Sequence, residues 1–534
     1  MPPRETPSPV LPASGLASRR VELFVLLIVW LFFLIWSLRV LGPDSIYTNF
    51  HSDGALPVLM ANDDRPITVF DTYYYAADRW GGWPFLLAKA VHLNFGLHWS
   101  DQSLHYVKTV WLFFGLLVLA ALNARAASAV VVSALIVLCL EPTPRRLMFD
   151  LSQLYPWQLP PLLLAWFCLR RLLARVHGLL WGAGFYLCSF FAIWSSVAAG
   201  PLLAVLVTLE ALRSYFLFRK TITKRRIGLA LVLLLAAIGS EFLMKKNYHR
   251  HSLKHYGHDF KTPMAIDFGH LYENLLANWH NMVQFKMFSL IVVALCFVVG
   301  TVGLLLYARI VDKGSLLTRV IAFFEDETLT MIVALTAMAA MNFLLIASIN
   351  HVRFNFYNVR FHALTYLFSA IAGLLVIYLG IRICADRFGV TRYVIPLVVA
   401  GAFILLAIEF PRHSLSERYK LERETALVLS QKAPGSMLMG GYWQTYLFAG
   451  LQPTNTMTPL PVEGELNRTP WTREMLHNSK QVVLEYRKTG VVPEDSLPPN
   501  ELRQYGDLLK LQDARFYENG PYAFALYVNE GGKP

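Results

Sequence analysis

Eleven apolar stretches, at about 22–41, 105–123, 127–140, 159–175, 179–196, 199–218, 227–243, 287–308, 328–349, 362–381 and 393–410, decide what this chain can fold into. Most are long enough to cross a hydrocarbon layer as a helix, which is the one open-ended element that satisfies all its backbone hydrogen bonds internally. Hydrophobic residues make up 55% of the chain and mean hydropathy is +0.43, more apolar residue than a water-soluble core can use. The expected fold is therefore an α-helical polytopic membrane protein of about eleven transmembrane helices. The net charge of +12 falls in the short gaps, at Arg125, Arg170-Arg171, Lys224-Arg225-Arg226, Arg309 and Arg382. That distribution follows the positive-inside rule, with a cytoplasmic N-terminus, and leaves no role for nucleic acid.

The polar intervals divide the chain further. Residues 1–20 are Pro- and Ser-rich and read as a disordered cytoplasmic tail. The stretch Val21 to Val40 reads as a retained anchor, and residues 21–411 as the transmembrane unit. Its first exterior loop is 43–104 and a second, basic one is 244–286. Residues 412–534 read as a small exterior α/β domain, with a helix from about Ser414 to Ser430, a strand near Met437, and a closing hairpin signalled by Asn519-Gly520. All five cysteines lie in or beside apolar spans, so neither a disulfide framework nor a C-x-x-C site is expected.

The interval from Tyr47 to Phe95 is the most informative, because it carries Asp53, Asp63, Asp64, Asp71 and Asp78 directly after the first span. Between Ile67 and Trp80 the apolar residues Val69, Tyr73, Ala76 and Trp80 recur at helical spacing with Asp71 and Asp78 opposite. That pattern predicts an interfacial helix with a wet acidic face, ended by Gly81-Gly82 and followed by a helix beginning near Pro84. The segment N-D-D-R-P at 62–66 reads as a turn with a local ion pair.

The first loop opens F-H-S-D-G-A at Phe50 to Ala55, and a late span is entered by Y-N-V-R-F-H-A-L at Tyr357 to Leu364. With the overall topology, these stretches resemble the GT-C type glycosyltransferases, the polytopic class that includes protein O-mannosyltransferases, aminoarabinose transferases of lipid A and the catalytic oligosaccharyltransferase subunit. The second exterior loop departs from the class pattern, offering only Glu141 and Asp150 where many members carry D-x-D or E-x-D, and the tail lacks W-W-D-Y-G. Both absences point away from a metal-dependent mechanism and from protein N-glycosylation.

The resemblance implies transfer of a sugar from a polyprenyl-phosphate donor to a hydroxyl acceptor on a glycan, lipid or protein, at the exterior face of the membrane. Asp53 would be the general base, taking the acceptor proton as that oxygen attacks the anomeric carbon with inversion. As a plain Ser-Asp-Gly segment, the same residue could instead cap the helix that follows. Exterior cations would meet the donor phosphate: Arg145, Arg146, Lys245, Arg250 and above all Arg360, with Asp150, His251, His255 and Tyr357 completing the substrate-binding set. The histidines of H-R-H-x-x-x-H-x-x-H are flanked by lysines that repel a cation, so no metal is expected. No Gly-rich nucleotide-binding unit occurs, so no cofactor is expected either. The implied location is a bacterial inner membrane with the C-terminal domain in the periplasm. Two rivals remain: a glycan ligase or polymerase of the O-antigen type acting through Arg250 and His251, and a lipid or glycolipid transporter without chemistry.

Overall fold

A computed structural model describes residues 52–75, 77–123, 126–140, 148, 150–174, 178–218, 221–256, 268–284, 324–354, 356, 359–387, 417–452, 456–465, 467–469, 471–487 and 497–530, with Leu27 and Leu31. Helix α1 (Ser52–Ala61) leads through a 3-10 turn (Val69–Thr72) into a short hairpin of β1 (Tyr73–Tyr74) and β2 (Ala77–Gly81), then α2 (Trp83–Phe95). The bundle follows: α3 (Asp101–Ala121), α4 (Ala127–Leu140), α5 (Tyr155–Leu173), α6 (Gly178–Ser195), α7 (Ala199–Phe218) and α8 (Thr221–Tyr256). After α9 (Leu271–Gln284) come α10 (Glu327–Ala347), α11 (Asn350–Phe354) and α12 (Ala363–Arg387). Eight of the predicted spans fall on these helices; those at 22–41, 287–308 and 393–410 lie outside the described residues apart from Leu27 and Leu31.

Among the described residues, six helices are long and apolar enough to cross a membrane. Their large apolar side chains stay uncovered by protein, as at Leu179, Val232, Leu235 and Phe242. Such a surface is stable only where lipid covers it, and the chain is an integral membrane protein. Inside the bundle α5 packs against α3 and α6, and α10 against α12, around Leu112, Leu162, Trp166, Leu203 and Leu335. Helix α8 has 36 residues, about 54 Å at 1.5 Å per residue, and so outruns a hydrocarbon core of about 30 Å. The basic interval 244–286 is thus not all loop. Residues up to Tyr256 continue the helix.

The predicted interfacial helix at 67–80 is not formed. Asp71 instead accepts hydrogen bonds from the Thr68 amide (2.7 Å) and hydroxyl (3.1 Å), closing a 3-10 capping box, and the chain then turns into the hairpin. Three successive tyrosines, Tyr73 to Tyr75, are fully buried, which a helix with one apolar face and one wet face would not allow. The two glycines have another use. A Cβ on Gly81 would sit 2.0 Å from the Trp194 carbonyl oxygen, and one on Gly82 would sit 2.5 Å from that of Asp71. Helix α2 begins with Pro84 in its first turn and stops at Gly96, whose φ of 65° gives the left-handed cap.

The C-terminal domain comprises α13 (Glu417–Lys432), β3 (Met437–Gly440), α14 (Tyr442–Leu451), β4 (Thr458–Pro461), α15 (Thr472–Asn478), β5 (Gln481–Glu485), β6 (Glu501–Gln504), β7 (Asp507–Asn519) and β8 (Tyr522–Asn529). Its six strands lie in the order β4-β3-β5-β8-β7-β6, parallel about β3 and antiparallel from β5 onward. The closing hairpin forms one residue later than the Asn-Gly signal places it. Asn519 still pairs with Tyr522, so Gly520, at φ +57°, and Pro521 make the turn.

This domain does not hang free. One apolar core joins first-loop residues Leu56, Phe70 and Tyr74 to Tyr442, Tyr446 and Phe448 of α14. The two helices meet at Gly450, where an added Cβ would come within 2.5 Å of the Ala55 Cβ. Gly450→Val should therefore cost roughly 1–3 kcal/mol by overpacking. A lowered melting temperature, with a smaller loss in Gly450→Ala, checks this; an unchanged one for both would show that the helices can part without penalty.

Candidate functional site

Asp53 stands in the first turn of α1, where the helix dipole is positive. Pro57 follows four residues later and has no N–H, so the Asp53 carbonyl lacks its usual helical partner. The buried Tyr74 hydroxyl donates to that carbonyl instead. The carboxylate is addressed from the other side: Oδ1 accepts a 2.7 Å hydrogen bond from the Tyr442 hydroxyl at the start of α14. Asp53 therefore sits inside the first turn rather than before it, and its carboxylate is held by the C-terminal domain.

The cation beside Asp53 is one that sequence reasoning did not single out. Tyr446, one turn along α14 from Tyr442, is fully buried and accepts from the amides of Arg468 (2.7 Å) and Thr469 (3.0 Å), pinning the loop that carries Arg468. The Arg468 guanidinium lies 5.6 Å from the Tyr442 ring centroid, and its Nε is buried with no hydrogen-bond partner. Burial works against the Arg468 charge, but Tyr442, Asp53 and Tyr74 outweigh it and hold the guanidinium pKa above its usual value. Burial also raises the hydroxyls of Tyr442 and Tyr74, with the Asp53 charge adding to it. Both phenols stay protonated at neutral pH and act as donors to Asp53. No spacing in the sequence links Tyr74, Tyr442 and Arg468; their juxtaposition comes from docking the tail on the first loop.

A cavity of about 210 Å³ opens nearby between the bundle and the first loop, lined among others by Trp80, Gln153, Gln158, Asn342, Ile349 and Phe361. Trp80 meets Tyr74 edge-on, with ring centroids 5.4 Å apart, so one wall backs onto the Asp53 cluster. On another wall stands Phe361, whose ring centroid lies 4.9 Å from the Arg360 guanidinium. The cavity thus lies between Trp80, which meets Tyr74, and Phe361, which meets Arg360. Behind the lining residue Gln153, buried Lys108 donates to the carbonyls of Asp150 and Gln153, the latter at 2.7 Å. Asp150 turns inward locally, its Oδ1 accepting from the Ser152 amide (2.9 Å) and hydroxyl (2.8 Å).

The remaining candidates separate. Lys245, Arg250 and His251 ride on the outer part of α8; Lys245 is half-buried, Arg250 and His251 are exposed, and His251 Nδ1 bonds the Asn247 carbonyl at 2.9 Å. That extension also touches the first loop: Tyr248 packs on Phe70 and Tyr73, and the Tyr73 hydroxyl donates to Glu241 at 2.9 Å. Arg145, Arg146, Tyr357 and the side chain of His255 lie outside the described residues. Three other first-loop acids are committed elsewhere, and the side chain of Asp78 lies outside the described residues. Buried Lys89 donates to Asp63 (2.7 Å) and Asp71 (2.8 Å), Arg65 Nε adds 2.7 Å to Asp63, and exposed Asp64 meets His92 at 2.9 Å. Asp71, expected on a wet face, is 2% exposed and forms part of this network.

No protein-family model matches the chain, and no curated protein matches it. Among solved structures it is similar to ArnT from Cupriavidus metallidurans in the apo state, at 11% identity and a TM-score of 0.41, over 98% of this chain and 100% of that one. It is also similar to the archaeal oligosaccharyltransferase AglB from Archaeoglobus fulgidus, at 12% identity and a TM-score of 0.39, over 88% of this chain and 70% of that one. At such identities no residue role passes from one chain to the other. The layout seen here is a polytopic helical bundle, an acid on a first-loop helix, and a C-terminal sheet domain that shares one core with that loop.

Proposed function

We propose that the chain is a membrane glycosyltransferase that moves a sugar from a polyprenyl-phosphate donor to a hydroxyl acceptor at the exterior face of the membrane. The observation that carries this reading is Asp53. Its carboxylate is fixed by the Tyr442 hydroxyl at 2.7 Å beside the Arg468 charge, and Tyr74, which bonds its carbonyl, meets the Trp80 wall of a cavity that reaches into the bundle. A general base needs such a fixed position and an enclosed neighbourhood more than it needs many contacts.

In this reading the acceptor hydroxyl gives its proton to Asp53 as its oxygen bonds to the anomeric carbon. The bond from that carbon to the phosphate oxygen breaks, and the polyprenyl phosphate departs with the electron pair and inversion at the sugar. Charge gathers on the leaving phosphate, where a fixed cation stabilises it; Arg360, beside the cavity wall, takes this role. Arg468 and Tyr442 orient the base. Residues 21–411 would form the transmembrane unit in a bacterial inner membrane, with the N-terminus cytoplasmic and 412–534 periplasmic.

The full chain in proteoliposomes, supplied with undecaprenyl-phosphate sugars and a membrane glycolipid extract as acceptor, should release undecaprenyl phosphate in step with sugar transfer. Binding of these lipids without release under any combination would replace the enzyme with a lipid-binding or transport protein.

A further inference from the structure

Gln158 is 1% exposed, lines the cavity, and has neither its Oε1 nor its Nε2 paired with any protein group. Other amides of the same wall are committed: Asn342 Nδ2 donates to the Thr365 hydroxyl at 2.8 Å, and Gln153 Nε2 donates to the Ser152 hydroxyl at 2.9 Å. A buried primary amide left without partners is costly, and native interiors rarely keep one without a use. Its position is not adjustable, since Gln158 lies in the first turn of α5 between Trp157 and Leu159, both buried.

The chemistry of an amide limits what can complete it. One end donates and the other accepts. An isoprenoid chain satisfies neither, and a phosphate oxygen only accepts, which would leave Oε1 bare. Neighbouring hydroxyls of a pyranose or furanose ring offer both functions at the spacing of the two amide atoms. We infer that Gln158 is a specificity-determining residue that hydrogen-bonds hydroxyls of the donor's glycosyl group in this cavity. The inference rests on the donor class given under Proposed function. Gln158 takes no proton from the acceptor and stabilises no leaving group; it selects among sugars.

The test uses the full chain in nanodiscs and two kinds of probe, sugar-free undecaprenyl phosphate and a panel of undecaprenyl-phosphate sugars that differ at single hydroxyls. Gln158→Leu should weaken the best-bound glycosylated lipid by about 10- to 100-fold and flatten the ranking across the panel. It should leave sugar-free undecaprenyl phosphate within about twofold of wild type. Its melting temperature should not fall, because the substitution removes an unpartnered amide from a buried position. In turnover, KM for the donor should rise more than kcat falls.

An unchanged ranking and affinity in the variant would overturn the assignment. So would equal weakening of the sugar-free lipid, which would place the amide on the phosphate. Wild-type protein that binds undecaprenyl phosphate but no glycosylated form would also overturn it, with the lipid-phosphate reading left standing. Binding of neither probe would bring down the donor class itself and this inference with it.

Discussion

Asp53→Asn should lower sugar transfer by about 10²- to 10⁴-fold, the usual worth of a positioned general base, while folded yield and melting temperature stay near wild type. The substitution suits the site because an amide oxygen can still accept the Tyr442 hydrogen bond, so the fold keeps its contact and only the basic charge is lost. Asp53→Glu keeps the charge but lengthens the side chain by one carbon in a place fixed from the other side by α14; a loss of about 10²-fold is expected from misplacement alone. Arg250→Ala and His251→Ala should stay close to wild type, since both side chains are exposed on α8 and His251 bonds its own helix. The reverse pattern, with Asp53→Asn active and the Arg250 or His251 variants dead, would replace the acid mechanism with the ligase-like one.

The second large effect concerns stability. Lys89→Met should destabilise the chain by about 3–5 kcal/mol, because Lys89 is buried between Asp63 and Asp71 and its removal leaves the buried Asp71 carboxylate without a cation, while Asp63 keeps Arg65. The double variant Lys89→Met with Asp71→Asn should recover part of that loss, since it removes the uncompensated charge as well as the partner. Thermal unfolding in detergent separates the cases, and a Lys89→Met loss under about 1 kcal/mol would class the triad as a solvated surface cluster.

The same network sets a pH dependence. Burial opposes ionisation of Asp63, but Arg65 and Lys89 outweigh it and hold the carboxyl below its usual value. A depressed native value means that the stabilisation is fully present above the unfolded carboxylate pKa of about 3.9. It is lost as pH falls through the lower native value, so acid sensitivity should appear below about pH 4.

The candidate site shows where sequence legibility stops. Asp53 was visible because an acid directly after a first span, within Ser-Asp-Gly, is a local pattern. Its neighbours were not. Tyr74 was expected on an amphipathic helix, and only burial of Tyr73 to Tyr75 reverses that reading in favour of a hairpin. Arg468 lies 415 residues beyond Asp53 in an unremarkable N-R-T-P stretch, and it becomes relevant only once Tyr446 pins its loop. Gln158 looks like any polar residue near a helix start until its amide is seen to have no partner.

The sequence by itself determined the membrane class, the position of eight helical spans within the described residues, and the helix, strand and hairpin order of much of the tail. Those features follow from hydrophobic length, charge between spans and turn chemistry, each a property of neighbouring residues. Tertiary structure alone decided which cation stands beside Asp53, which first-loop acids are tied up by Lys89 and Arg65, and where the cavity lies. The physical reason is that charge pairing and cavity walls depend on distance in space. The contact of Gly450 with Ala55, made across nearly four hundred residues of chain, sets those distances in a way no local pattern records.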